Sequence, residues 1–295
     1  MSARRPLDAS AFALMTLLTA LWGFQQVAIK VAAHDVSLVM QAAIRSGLAT
    51  ALLLIWVVLK RIALWKRDGT LCPGLVAGLL FAFEFVFIYA GLEYTAASRM
   101  IVFIYLTPVL TALGLHVFVP SERLGGAQWL GVLLAFGGLV AAFQDGIFSG
   151  QGETWLGDLF GVFAAVLWAA TTVLVRATAL SRAAATKTLL YQLAVSAAIL
   201  PLASLAMGEP GIVSLSPLAL ASLAYQGAIV AFASYLAWFW LLTRYLAARL
   251  AAFSFLAPLF GVVFGVLLLA EPLRPAFAAA ALLVGAGIVL VNLRR

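Results

Sequence analysis

Charge is what this sequence has least of. Asp, Glu, Lys and Arg make up 10% of its 295 residues, against roughly a quarter in an ordinary soluble domain. Cysteine occurs once, at Cys72, which excludes an internal disulfide and a thiolate metal site. The two histidines, His34 and His116, lack ligand spacing. No Gly-rich loop runs into Lys-Ser or Lys-Thr, so no ATPase engine is encoded. No nucleophile triad and no paired carboxylates are legible, and neither an enzyme, a metal site nor a cofactor is expected.

What the chain has instead is apolar surface. Hydrophobic residues make up 65% of it, and mean hydropathy is +1.12. A water-soluble fold of this length cannot bury that excess. One membrane helix uses about 20 apolar residues, so the chain fills nine to ten spans and leaves no loop long enough for a folded domain. The spans are expected near 11–33, 36–59, 72–92, 95–119, 127–143, 154–179, 185–207, 217–242, 247–269 and 273–293. The runs are long and apolar on nearly all sides, so they read as helices rather than barrel strands. The first, Ala11 to Ala33, exceeds a signal-peptide core and lacks a clear cleavage pattern, so it reads as a retained span.

The net charge of +7 reads as cytoplasmic loops of a membrane protein, not as a nucleic-acid surface. With the N-terminus inside, 14 of the 18 basic residues fall on the inner side, among them Arg4, Arg5, Lys60, Arg61, Lys66, Arg67, Arg123, Arg244, Arg294 and Arg295. Lys30, Arg45, Arg99 and Arg274 remain in the outer half. The expected location is the inner membrane, with both termini cytoplasmic.

The chain also repeats itself. Leu21-Trp22 is followed by Lys30, and Leu167-Trp168 by Arg176, each eight residues after its Trp. Leu106-Thr107-Pro108 is followed by Glu122 after fourteen residues, and Leu256-Ala257-Pro258 by Glu271 after thirteen. Gly138 and Gly287 each lie sixteen residues beyond the Glu. Ala97-Ser98-Arg99 lines up with Ala247-Ala248-Arg249. The units are 1–145 and 146–295, with five spans each. Because five is odd, the second unit is inverted relative to the first, the architecture of many secondary transporters.

These landmarks carry a resemblance. Ala97 to Val140 and Ala248 to Val291 resemble the C-terminal part of the repeat of EamA-type members of the drug/metabolite transporter superfamily, with Leu21-Trp22-Gly23 and Lys30 similar to its opening helix. Ser121 stands where a Gly commonly precedes the Glu, and Ala169 replaces the Gly after the second Trp. The resemblance implies an all-α membrane protein, a ten-helix exporter with a central cavity. The aromatic content and length look most like bacterial exporters of aromatic and other neutral amino acids.

Ionisable groups at mid-membrane tend to face a cavity or a partner. Arg45 lies about 14 Å into the second span and Glu84 about 18 Å into the third, from opposite directions, at 1.5 Å per residue. One reading is a substrate site, Arg45 for a carboxylate and Glu84 for an ammonium or a proton; the other is a structural Arg–Glu pair. Trp22, Gln26 and Lys30 form a stripe at helical spacing, with Gln25 beside it, mirrored by Trp168, Thr172 and Arg176. Gln26 and Trp168 are expected in the cavity, whereas Lys30 and Arg176, near span ends, are expected to snorkel to the interface. Arg45 aligns with Tyr191 and Glu84 with Ser234. The aromatic candidates are Tyr89, Tyr105, Tyr191, Tyr225, Trp238 and Trp240. Trp56, Trp65, Trp129 and Trp155 read as interfacial. Pro108 and Pro258 read as kinks, with a hinge role open. Gly131, Gly137, Gly138, Gly285 and Gly287 read as close-packing positions that tie the units together or form a dimer surface.

The expected function is a secondary transporter that exports small zwitterionic metabolites by alternating access, amino acids including aromatic ones. The alternative on the same fold is a nucleotide sugar, vitamin or cationic drug transporter. The expected partners are a small-molecule substrate and the lipid bilayer, not nucleic acid. A proton as coupling ion, and a monomer or a homodimer, both stay open.

Overall fold

The computed structural model describes residues 7–62, 64, 68–144, 154–270 and 276–293. Its named elements are all helical: α1 Ala9–Ala32, α2 Leu38–Leu59, α3 Leu71–Leu92, α4 Ala97–Ile104, α5 Thr107–Phe118 and α6 Gly126–Ala142. Then follow α7 Thr154–Ala177, α8 Ala185–Ala206, α9 Pro217–Ala224, α10 Tyr235–Arg244, α11 Ala247–Phe253, α12 Leu256–Leu269 and α13 Ala276–Asn292. Eight segments are long and apolar enough to cross a membrane, with Ala97–Phe118, Pro217–Arg244 and Ala247–Leu269 each counted as one. The expected spans at 127–143 and 273–293 correspond to the shorter α6 and α13.

Three of the long segments are interrupted, each for a local reason. Between α4 and α5, Pro108 has no N–H to give the Ile104 carbonyl; the Thr107 hydroxyl donates to it instead at 2.6 Å. Between α11 and α12, Pro258 likewise leaves the Ser254 carbonyl, which takes the Ala257 N–H at 3.0 Å in a tightened turn. Both prolines therefore sit just beyond a break in mid-segment. The third interruption is π-helical, Tyr225–Ser234, between α9 and α10.

Small residues set the closest helix pair. α6 and α13 run antiparallel: a Cβ at Gly131 would lie 2.7 Å from the Gly287 carbonyl oxygen, and one at Gly138 would lie 2.9 Å from that of Ala280. Gly137 and Gly285, expected to pack likewise, face open space, because they lie off the contact stripe.

Across the two sequence halves, α3 packs on α7, α1 on α12, α2 on α8, α3 on α8, α4 and α5 on α7, and the π-helical stretch on α1 and α2. The described ends of the chain share one face. There Tyr245 donates to Asp8 at 2.8 Å, and Arg249 donates to the carbonyl of Asn292 at 3.2 Å. We call this the terminal face. Asp68 belongs to it, taking Lys187 Nζ at 2.9 Å from both oxygens. At the opposite face Asp35 accepts from Ser214 and Ser216, and Glu209 accepts from Ser37, Ser204 and the Val39 N–H, so the two halves are tied at both ends of the bundle.

Candidate functional site

Arg45 and Glu84 are both buried within this bundle. Arg45, on α2, is 2% exposed, and its guanidinium lies 4.2 Å from the centre of the Phe85 ring on α3. Glu84, the neighbour of that ring in sequence, is 5% exposed. Neither forms the structural pair that was one of the two expectations: among the described residues no hydrogen bond or ion pair joins them, and Arg45 Nε, Arg45 Nη2 and Glu84 Oε2 are buried without a protein partner. Unpaired buried charge is costly, so its presence marks a candidate functional site.

Aromatic rings close the surroundings. Phe81 lies edge-on to Phe85 at 5.1 Å and to Tyr235 at 6.0 Å. Tyr235 meets Trp22 at 6.3 Å, and Trp22 meets Trp238 at 5.8 Å. The Trp22 indole N–H donates to Ser234 Oγ at 2.9 Å. Tyr105 and Trp168 form a second edge-on pair at 6.0 Å. Trp22, Tyr105, Trp168 and Tyr235 are all half-buried. A few placed polar groups among apolar and aromatic walls is what a small-molecule site requires.

Other expected site residues lie elsewhere. The Tyr225 hydroxyl donates to the Leu21 carbonyl at 2.9 Å, and its ring sits at 5.0 Å from Phe24, in a separate cluster with Phe264. Tyr191 lays its ring across Gly74 and brings its hydroxyl to 3.3 Å from Thr70 Oγ1, near the terminal face. Gln26 is exposed beside Gly261, while Gln25 is buried. Trp240 is exposed under Arg244, as interfacial residues are. Trp65 and Glu271 lie outside the described residues.

Arg176 corrects its expectation. Instead of snorkelling it is 5% exposed, ion-paired to Glu122, and donates to the Leu242 carbonyl at 3.0 Å. It turns inward because a buried carboxylate and a free helix-end carbonyl are available there, which hydropathy does not register. Glu122 was legible only as a repeat landmark. Tyr235 was not among the candidates, although it lies one helical turn before Trp238, which was, and both rings meet Trp22.

The profile of the EamA-like transporter family matches residues 10–144 and again residues 155–293. The chain belongs to this family. It is a multi-pass membrane protein of a transporter family. An uncharacterized transporter of Archaeoglobus fulgidus is 29% identical over 85% of this chain and 86% of its own. A probable amino-acid metabolite efflux pump of Escherichia coli is 26% identical over 88% of this chain and 87% of its own. The Salmonella typhimurium protein of the same description is 24% identical over 94% and 93%. A solved crystal structure, 21% identical, covers 97% of this chain and 99% of its own with a TM-score of 0.81, so the fold is shared.

Proposed function

We propose that this protein is a secondary transporter that exports small zwitterionic metabolites, amino acids including aromatic ones, through alternating exposure of the Arg45–Glu84 site. One observation carries the reading. Opposite charges, 2% and 5% exposed, stand on adjoining helices without pairing to each other, among half-buried aromatic rings. A substrate carboxylate takes Arg45, its ammonium takes Glu84, and an apolar or aromatic side chain lies against Trp22, Tyr105, Trp168, Tyr235 and Trp238. The descriptions of the Escherichia coli and Salmonella typhimurium relatives support the substrate class.

The architecture in this reading is ten spans in two inverted units, 1–145 and 146–295, in the inner membrane. The antiparallel α6–α13 contact supports it. The repeat pairs Gly138 with Gly287, and the same shift carries Gly131 to Ala280. The Gly131–Gly287 contact thus maps onto the Ala280–Gly138 contact, as a two-fold axis between inverted units requires. The terminal face is cytoplasmic. Lys60, Arg61, Arg123, Arg176, Arg182, Lys187, Arg244 and Arg249 belong to it, against Lys30 and Arg99 at the other. Glu84 carries the coupling proton when no ammonium occupies it, and one chain holds a complete site.

A panel of radiolabelled amino acids offered to proteoliposomes tests the reading. Counterflow of one or more, lost on Arg45→Ala, is expected. Counterflow of a nucleotide sugar, a vitamin or a cationic drug, with none for any amino acid, would replace the substrate class.

A further inference from the structure

The two ends of the bundle are not equally closed. At the terminal face α5 packs on α11, whereas their repeat counterparts at the other face, α12 and α4, make at most glancing contact. Around the α5–α11 contact, Glu122 is 3% exposed, ion-pairs with Arg176 of α7, and accepts the Ala247 N–H at the start of α11 at 2.6 Å. Arg176 reaches on to the Leu242 carbonyl at the end of α10. One carboxylate thus joins the end of α5 to α7 and α11, across the two sequence halves. The carboxylate suits its place, since a helix start offers free N–H groups and positive potential.

The exposure of α1 and α7 follows the same asymmetry. On α1, Gln26 is exposed and lies on the face opposite the exposed apolar Ala13 and Leu17. Its repeat counterpart on α7, Thr172, is 5% exposed. The aromatic pairs differ too. Trp22 is bonded to Ser234, whereas no hydrogen bond joins their counterparts Trp168 and Glu84. The side toward the terminal face is thus the more closely packed of the two.

We propose that Glu122 and Arg176 are positioning residues of the transport cycle: a buried ionic latch that holds the terminal face shut and must break before the site opens to that side. This rests on the alternating-access reading. The latch acts on the equilibrium between two closures without touching substrate. Breaking one partner of a buried pair leaves the other uncompensated, so neutralising Glu122 penalises this state specifically.

The test is cysteine accessibility in the full-length protein with Cys72 replaced by Ser. A membrane-impermeant maleimide is applied to intact cells for Gln26→Cys and to inverted vesicles for Thr172→Cys. With the latch intact, Gln26→Cys labels and Thr172→Cys is protected. Adding Glu122→Gln, which keeps a side-chain acceptor for Ala247 but removes the charge, is expected to slow labelling at 26 and speed it at 172, each about tenfold. Arg176→Lys, which keeps a cation against Glu122, is expected to hold the original labelling pattern, whereas the neutral Arg176→Gln is expected to shift it as Glu122→Gln does. Arg176→Gln serves if Glu122→Gln does not assemble. Unchanged rates at both positions overturn the latch and leave the transport reading standing. Faster labelling at 172 with no loss at 26 overturns both, because the two openings would then not exclude each other.

Discussion

Trp22 on α1 donates its indole N–H to Ser234 at the end of the π-helical stretch, 2.9 Å away. The repeat pairs these residues with Trp168 and Glu84, so one unit has a neutral hydroxyl where the other has a carboxylate. In the other unit Glu84 Oε2 is buried without a protein partner.

Arg45→Ala is expected to cut transport in proteoliposomes about tenfold or more, the loss of a charge-assisted, forked contact to a carboxylate. Arg45→Lys recovers only part of it, because an ammonium lacks the planar fork. Equal transport by Arg45→Ala and the parent would remove Arg45 from the site.

Glu84→Gln keeps the shape of the side chain and removes its titration. Transport by this variant is expected to lose its dependence on a pH gradient while exchange of substrate across the membrane continues. A response to the gradient equal to that of the parent would leave Glu84 as a binding group alone.

Gly287→Ala is expected to destabilise the protein by about 1–3 kcal/mol, the usual cost of overpacking. The new Cβ would meet the Gly131 carbonyl oxygen at 2.5 Å and the Ala135 nitrogen at 2.6 Å, both backbone atoms that cannot step aside. Gly285→Ala, two residues away with open space, is expected to gain roughly 0.5–1 kcal/mol from helix propensity. Thermal unfolding in detergent separates the two signs.

Asp68 carries a pH dependence. Hydrogen bonds from Thr70 and Lys187 hold its carboxyl at about 2, below the ordinary 3.8. A depressed folded pKa adds stability that is complete above the ordinary value and is lost as pH falls toward the folded one. Asp68→Asn should therefore lower the melting temperature by a constant amount at neutral pH, and the deficit should shrink between about pH 4 and pH 2. The carboxylate is partly exposed, so the effect is small and screened by salt. A deficit that is the same at pH 3 as at pH 7 would refute the linkage.

Reporter fusions in the segments around Lys66 and around Gly150 are expected on opposite sides of the membrane, with Lys66 cytoplasmic. Finding both on one side would break the inverted ten-span arrangement.

The sequence by itself determined what is local. Hydropathy over windows of about 20 residues marks membrane helices, and the eight long segments lie where it put them. Spacing of Trp, Pro and Glu made the family legible, and proline chemistry made the breaks at Pro108 and Pro258 legible, because a missing N–H acts within one helical turn. It also selected Arg45 and Glu84, since unpaired charge in an apolar run needs no neighbour to be conspicuous. Tertiary structure decided the rest. Whether Arg45 pairs with Glu84 or lies over Phe85 depends on how α2 crosses α3. Tyr235 joins the site because α10 packs that face against Trp22 of α1. Arg176 pairs with Glu122 rather than reaching to the interface because α5, α7 and α11 converge at one end of the bundle. That contact spans residues 122, 176 and 247, and a pattern along the chain does not encode which distant ends meet.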